Sequence, residues 1–185
     1  MNSYKEYMKV LAEVLDACDT NFLNQLYVEL EQAWHKRSQV FICGNGGSSA
    51  NAMHIANDFI YGVCPVKGLN VNALSSNSAV LTCLANDTGY ENIYSNQIKS
   101  LAQAGDLLIV LSGSGNSQNL INAIKAAKET GLKTCGILGF DGGICKALVD
   151  IPIHFDVNDM QISEDCQTIV GHMLMQKLNE SLKDV

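Results

Sequence analysis

Clustered positive charge is missing from this sequence. Its twelve Lys and Arg residues are scattered among nineteen Asp and Glu, for a formal net charge of −7 over 185 residues, which argues against a nucleic-acid-binding face. No apolar run approaches the roughly 20 residues that cross a bilayer, and the first thirty residues carry acids without a signal-peptide core. A cytoplasmic protein with no membrane partner is therefore expected. No two of the seven cysteines stand in a C-x-x-C pair. With an odd count, neither a disulfide framework nor a cysteine zinc knuckle is suggested, and Cys43, Cys83 and Cys135, set in apolar runs, are expected as core thiols. Low-complexity linkers and solenoid periods are missing too. A chain of this length with 47% hydrophobic residues can bury one sizeable core and is short for two. Residues 1–185 are expected to form one domain with an N-terminal helical extension over 1–37.

The chain is organised around Cys43-Gly44-Asn45-Gly46-Gly47-Ser48-Ser49-Ala50-Asn51. The apolar run 40–43 gives way there to glycines and hydroxyls and then to helical spacing, which reads as strand, tight loop and helix. Glycine lets the backbone turn sharply and approach a ligand closely. Ser48 or Ser49 is placed to cap the helix and leave its free N–H groups facing an anion. The pattern returns at 107–111, followed by Ser112-Gly113-Ser114-Gly115-Asn116-Ser117. Two strand ends thus present Gly/Ser loops to one crevice, and phosphate is the guest such loops suit.

Three phosphate or nucleophile motifs do not fit. A dinucleotide fold would need a third glycine where Ser49 stands and an acid after strand 69–74, where Ser75-Ser76-Asn77 follow. A Walker A loop would need Gly-Lys-Ser/Thr after one of the glycine clusters, and a nucleophile elbow a glycine where Ser112 stands. A hydroxyl-rich nest remains, in which Ser48, Ser112, Ser114 and Ser117 donate to a phosphate monoester alongside backbone N–H groups.

Two amphipathic helices come first, over 3–17 with Tyr4, Met8, Leu11 and Leu15 in register and over 21–36 with Phe22, Leu26, Leu30, Ala33 and Trp34. Their apolar faces need the sheet or another subunit to cover them. From Gln39 onward strands and helices alternate: strand 39–43, helix 48–61, strand 69–74, helices 77–85 and 90–103, strand 107–111, helix 117–130, strand 133–138, a short helix 143–148, strand 151–155 and helix 162–182. Alternation with near-continuous apolar strands means an α/β protein whose parallel sheet is covered on both faces. Ser117 begins a helix that Gly131 ends, and Asp141-Gly142-Gly143 marks a turn.

Gly44-Asn45-Gly46-Gly47-Ser48, Ala52-Met53-His54, Ala85-Asn86-Asp87, Gly105-Asp106, Ser112-Gly113-Ser114-Gly115-Asn116-Ser117 and Asp141-Gly142-Gly143 resemble the SIS (sugar isomerase) domain of the phosphoheptose isomerase group. The likeness runs over nearly the whole chain, N-terminal helices included. It implies a three-layer, flavodoxin-like sandwich with a five-stranded parallel sheet and a homotetramer with active sites at subunit contacts. The implied reaction is an aldose–ketose isomerisation, from sedoheptulose 7-phosphate to the heptose phosphate used for surface polysaccharide such as lipopolysaccharide or capsule. The implied substrate-binding positions are Asn45, Gly46, Ser48, Asn86, Asp87, Ser112, Gly113, Ser114 and Ser117. A non-catalytic SIS protein that binds a sugar phosphate or a protein partner, as relatives associating with the replication initiator do, is the alternative.

His54 and Asp58 stand four apart on one helix and share a face; Glu164, Thr168 and His172 make a similar ridge on the last helix. Isomerisation needs a base to move a proton between C1 and C2 and an acid to serve the oxygens. By resemblance the base falls on Asp58 and the acid on His172, while His54, Asp58, Glu164 and His172 match the family's metal positions, a set that suits zinc. The sequence departs from the family at Asp58, where Glu is usual, and at Glu164, where Gln is usual. Aspartate withdraws the carboxylate by about 1.5 Å, and Glu164 is a second candidate base. His35 and His154 are assigned no role.

Overall fold

The structure is a computed structural model that describes residues 3–64 and 67–183. Helices α1 (Tyr4–Asp16) and α2 (Thr20–Lys36) precede strand β1 (Gln39–Gly44) and helix α3 (Gly47–Tyr61). Strand β2 (Asn70–Ala73), helix α4 (Ser78–Thr88), a 3-10 turn (Tyr90–Asn92) and helix α5 (Ser95–Leu101) follow. The chain continues as β3 (Leu107–Ser112), α6 (Gln118–Thr130), β4 (Lys133–Leu138), α7 (Gly143–Leu148), β5 (Ile151–His154) and α8 (Met160–Leu182).

All five strands are parallel, in the order β2-β1-β3-β4-β5. Alternate residues of β1 and β3 supply opposite faces, as the pleat requires. Val40, Ile42, Leu107, Ile109 and Leu111 join a core with Leu26, Leu30, Trp34, Ile55, Phe59, Val170, Leu174 and Leu178, under α2, α3 and α8. Phe41, Cys43, Leu108 and Val110 join the opposite core with Tyr94, Ile98, Leu120, Ile124 and Ala127, under α5 and α6. These are the three layers expected from the apolar runs. The strand order reverses between β1 and β3, where Gly44 pairs with Leu111. Both Gly/Ser loops leave the sheet at that switch point, the place where open α/β sheets hold ligands.

The expectations for 39–43, 107–111, 133–138 and 143–148 match the elements within a residue. The expected helix 90–103 is broken instead: Tyr90–Asn92, entered through Gly89 at φ +89°, form a 3-10 turn, and α5 begins only at Ser95 and ends at Leu101. Helix α8 begins two residues early because Asp159 caps it, accepting from Ile162 N at 3.1 Å. Cys43, Cys64, Cys135, Cys145 and Cys166 are buried, but Cys83 is exposed on α4, an amphipathic helix on which its neighbours Leu84 and Ala85 take the inward side. A bond to Asp87 pushes its thiol pKa up.

Helix α2 finds its cover on the sheet and α8. Helix α1 buries no residue fully; it leans on the same core through Tyr7, Val10, Leu11 and Leu15. The Tyr7 hydroxyl donates to Asp165 Oδ2 at 2.6 Å, and partial burial with that bond pushes the phenol up to about 12. Among the described residues no helix is long and apolar enough to cross a membrane.

Candidate active site

The first loop turns at Gly46, which has φ +57° and stands as the N-cap of α3 without any side-chain cap bond. Ser48 and Ser49, expected as caps, lie two and three residues further on, in the first turn. Ser48 is buried and its Oγ accepts from Gln167 Nε2 at 3.1 Å. Asn45 and Asn119 exchange amide hydrogen bonds of 2.9 Å in both directions, and the Tyr90 hydroxyl donates to Asn45 Oδ1 at 2.9 Å. Asn119 belongs to the first turn of α6, so the start of one loop is bonded to the helix that ends the other.

In the second loop Ser112 Oγ accepts from Gly115 N at 3.0 Å and Ser114 Oγ from Asn116 N at 3.3 Å. Ser117 is the N-cap of α6 and makes no side-chain cap bond. Gly113 lies against Met160, whose Sδ would stand 2.4 Å from an added Cβ. A cavity of about 410 Å³ opens beside this loop, lined by Ser114, Asn116, Phe140, Asp141, Asp156 and Asn158. A second, of about 250 Å³, lies beside Asn45, Gly46, Ser49, Tyr90 and Tyr94. Asn86 and Asp87 are exposed on the last turn of α4 and bond to each other at 2.7 Å. If Ser114 donates to a bound phosphate, Ser114→Ala should weaken sugar-phosphate binding by about 1 kcal/mol or more, the scale of a hydrogen bond to a charged group. Unchanged affinity in titration calorimetry would place the phosphate elsewhere.

Helix α8 runs beside α3, and the two bring His54, Asp58 and His172 together. The two Nε2 atoms are 2.9 Å apart, and Asp58 Oδ2 is 3.5 Å from His54 and 3.3 Å from His172. Asp58 Oδ1 accepts from Asn57 Nδ2 at 3.2 Å. The two imidazole side chains are 47% and 45% exposed, Asp58 only 18%. His172 is thus no satisfied core histidine despite its apolar neighbours in sequence. Ligand atoms held about 2.0–2.2 Å from a tetrahedral zinc ion stand roughly 3.3–3.6 Å from one another; the two Asp58 edges match that spacing, while the 2.9 Å His54–His172 edge is shorter and the two half-exposed imidazoles would have to open slightly to admit such an ion.

Glu164 does not join the three. It lies eight residues before His172 on α8, about 12 Å along the axis, and its carboxylate rests against Gly47, where Oε2 would be 2.3 Å from an added Cβ. That is the N-terminal end of α3, where the helix dipole favours negative charge. Within one chain the four-ligand set expected from the sequence is therefore a set of three, and Asp58 and Glu164 do not share one site.

Gln167, Asn51, Asn119 and Tyr90 also shape the loops, and none was anticipated from the sequence. Helix-face reading carries a signal for two of them, since Asn51 precedes His54 by three and Gln167 follows Glu164 by three.

The SIS domain family description matches residues 3–139 of the chain. The phosphoheptose isomerase of Clostridium acetobutylicum is 36% identical over 168 residues, 89% of this chain and 86% of that protein. That of Helicobacter pylori is 34% identical over 93% of this chain and 88% of that protein. The solved phosphoheptose isomerase of Neisseria gonorrhoeae superposes with a TM-score of 0.88 at 26% identity, covering 96% of this chain and 95% of that one. The sheet order, the two Gly/Ser loops at its switch point and these similarities agree: the chain belongs to the SIS-domain family, within its phosphoheptose isomerase group.

Proposed function

We propose that this chain is a cytoplasmic enzyme that interconverts sedoheptulose 7-phosphate and the corresponding aldoheptose 7-phosphate, a precursor for surface polysaccharide. The observation that carries the reading is the placement of His54, Asp58 and His172 on the helix that leaves a phosphate-type loop and on its neighbour. From Gly47 to His54 is about 10 Å along α3, and Gly46, Gly47, Ala50 and Met53 are exposed over that stretch. A seven-carbon chain anchored by its phosphate at the loop can reach the histidines.

In the ketose-to-aldose direction Asp58 takes a proton from C1 while His172 donates one to the C2 oxygen, giving the enediol. The C1 hydroxyl then returns its proton to His172 as Asp58 delivers the first proton to C2. Zinc fits His54, Asp58 and His172, and when bound it would polarise the substrate's carbonyl oxygen, the task otherwise left to His172. Asp58 directs Oδ2 at the histidines and keeps Oδ1 on the other side, so one oxygen can face a metal while the other accepts a proton. Protein purified without chelator should carry about one zinc per chain by elemental analysis, and His54→Ala should remove it. Metal-free protein with full activity would eliminate zinc.

The exposure of both histidines supports an assembly in which another copy closes the site. Met53, Ile60 and Tyr61 on α3 and Met173 on α8 are exposed on the two helices that carry it, and Tyr4 and Met8 are exposed on α1. A homotetramer is the expected state, and a monomer mass by light scattering at micromolar concentration would refute it. The activity itself is tested with a panel of phosphorylated ketoses and aldoses. Interconversion of the seven-carbon pair is expected; sugar-phosphate binding without any turnover would favour the non-catalytic reading.

A further inference from the structure

A buried amide relay fixes the direction of the Ser48 hydroxyl, and it starts from a backbone carbonyl. The Glu164 carbonyl oxygen can only accept, so Asn51 turns Nδ2 toward it, at 2.9 Å. The same nitrogen lies 3.0 Å from one end of the Gln167 amide, which must therefore be Oε1. Gln167, 1% exposed, is left presenting Nε2 to Ser48 Oγ at 3.1 Å. An amide nitrogen only donates. Ser48 Oγ is thus an acceptor in that bond, and its single hydrogen is left over. Ser48 is itself 3% exposed, and no other described residue takes that hydrogen. A buried hydroxyl with an unspent hydrogen, in the first turn of a helix that opens on a Gly loop, is a donor kept for a ligand.

We infer that Gln167 is a positioning residue for phosphate recognition: it occupies the acceptor side of Ser48 and so reserves the hydroxyl hydrogen for a phosphate oxygen of the substrate. The inference rests on the reading of the first loop as part of the phosphate site. Gln167 touches no substrate; Asn51 and the Glu164 carbonyl act behind it by fixing which way its amide faces.

The test uses the full chain and two readouts, KM for sedoheptulose 7-phosphate and the inhibition constant of inorganic phosphate. Gln167→Glu keeps the side chain's size but puts an acceptor where Nε2 stood, so that Ser48 donates into it and the hydrogen is lost to the substrate. Ser48→Ala and Gln167→Glu should each raise both constants about tenfold, the scale of one hydrogen bond to a charged group, with kcat changed less than twofold. In the Ser48→Ala background Gln167→Glu should add nothing. A charge effect or a packing effect would persist in that background and overturn the proposal. Should the buried carboxylate prevent folding, the neutral Gln167→Met serves instead, with an expected rise of about threefold that again vanishes when Ser48 is alanine. Flat constants for the Gln167 variants beside a clear Ser48→Ala effect would overturn the positioning role alone. Flat constants for Ser48→Ala would remove the first loop's serine from the phosphate site and overturn the proposal at its premise.

Discussion

Asp58→Asn is expected to lower turnover of sedoheptulose 7-phosphate by about 10²–10⁴-fold, the contribution of a positioned general base, with little change in stability. Among the described residues the carboxylate is the one acidic group held between His54 and His172, at 3.5 and 3.3 Å, and asparagine keeps its shape while losing the capacity to take a proton from carbon. Asp58 contributes no apolar packing to the core and its helix is held by Ile55, Ala56 and Phe59, so denaturation should be nearly unaffected. Glu164→Gln is the informative partner. Glu164 sits at the loop end of α3, far from the histidines, and its replacement should change KM more than kcat. Turnover that survives in Asp58→Asn and collapses in Glu164→Gln would transfer the role of base to Glu164.

The sequence carries the sheet because its central strands are buried on both faces and so read as unbroken apolar runs that stop at Gly or Ser. Val40 to Cys43 and Leu107 to Leu111 are all at most 2% exposed. Helix α6 was equally legible, from Ser117 to the left-handed Gly131. The break between Asn92 and Ser95 was not, since Tyr90 to Leu101 has ordinary helical spacing and only the packing of Tyr94 into the core, its hydroxyl donating to Gly44 O, shows why the chain turns there. In the site, the pairing of His54 with Asp58 follows from a four-residue step on one helix. The partner residue on α8 does not, because periodicity gives the face of a helix and leaves its axial position against a neighbour open. Glu164 and His172 share a face of α8; contacts such as Gly171 on Ile55 and Gln167 on Ser48 slide that face until His172, and not Glu164, meets Asp58. Side-chain relays such as Asn51–Gln167–Ser48 have no periodic signature at all, being set by which amides become buried together.

Gly115→Ala should be the most damaging single methyl that can be added to the second loop. Gly115 has φ +65°, which costs an L-residue about 1–2 kcal/mol, and a Cβ there would lie 2.0 Å from Gly142 O and 3.0 Å from Gly143 N. Both neighbours are backbone, so no rotamer change relieves the overlap. The facing turn is also tied in place, through Cys145 N donating to Gly115 O at 2.9 Å and Gly142 N to Gly139 O at 2.8 Å. Either the second loop or the 141–143 turn has to move, and the Ser112 bond to Gly115 N goes with it. The expected loss is about 3 kcal/mol or more in urea unfolding, together with loss of phosphate binding. Gly131→Ala is the matched control. Its φ of +85° is also left-handed, but the nearest obstacle is the Ala104 methyl at 3.2 Å, so about 1 kcal/mol is expected, with phosphate binding intact. If the two variants unfold alike, the close apposition of Gly115 and Gly142 is not what holds the second loop in shape, and the loop's geometry must come instead from the Ser112 and Ser114 hydroxyls.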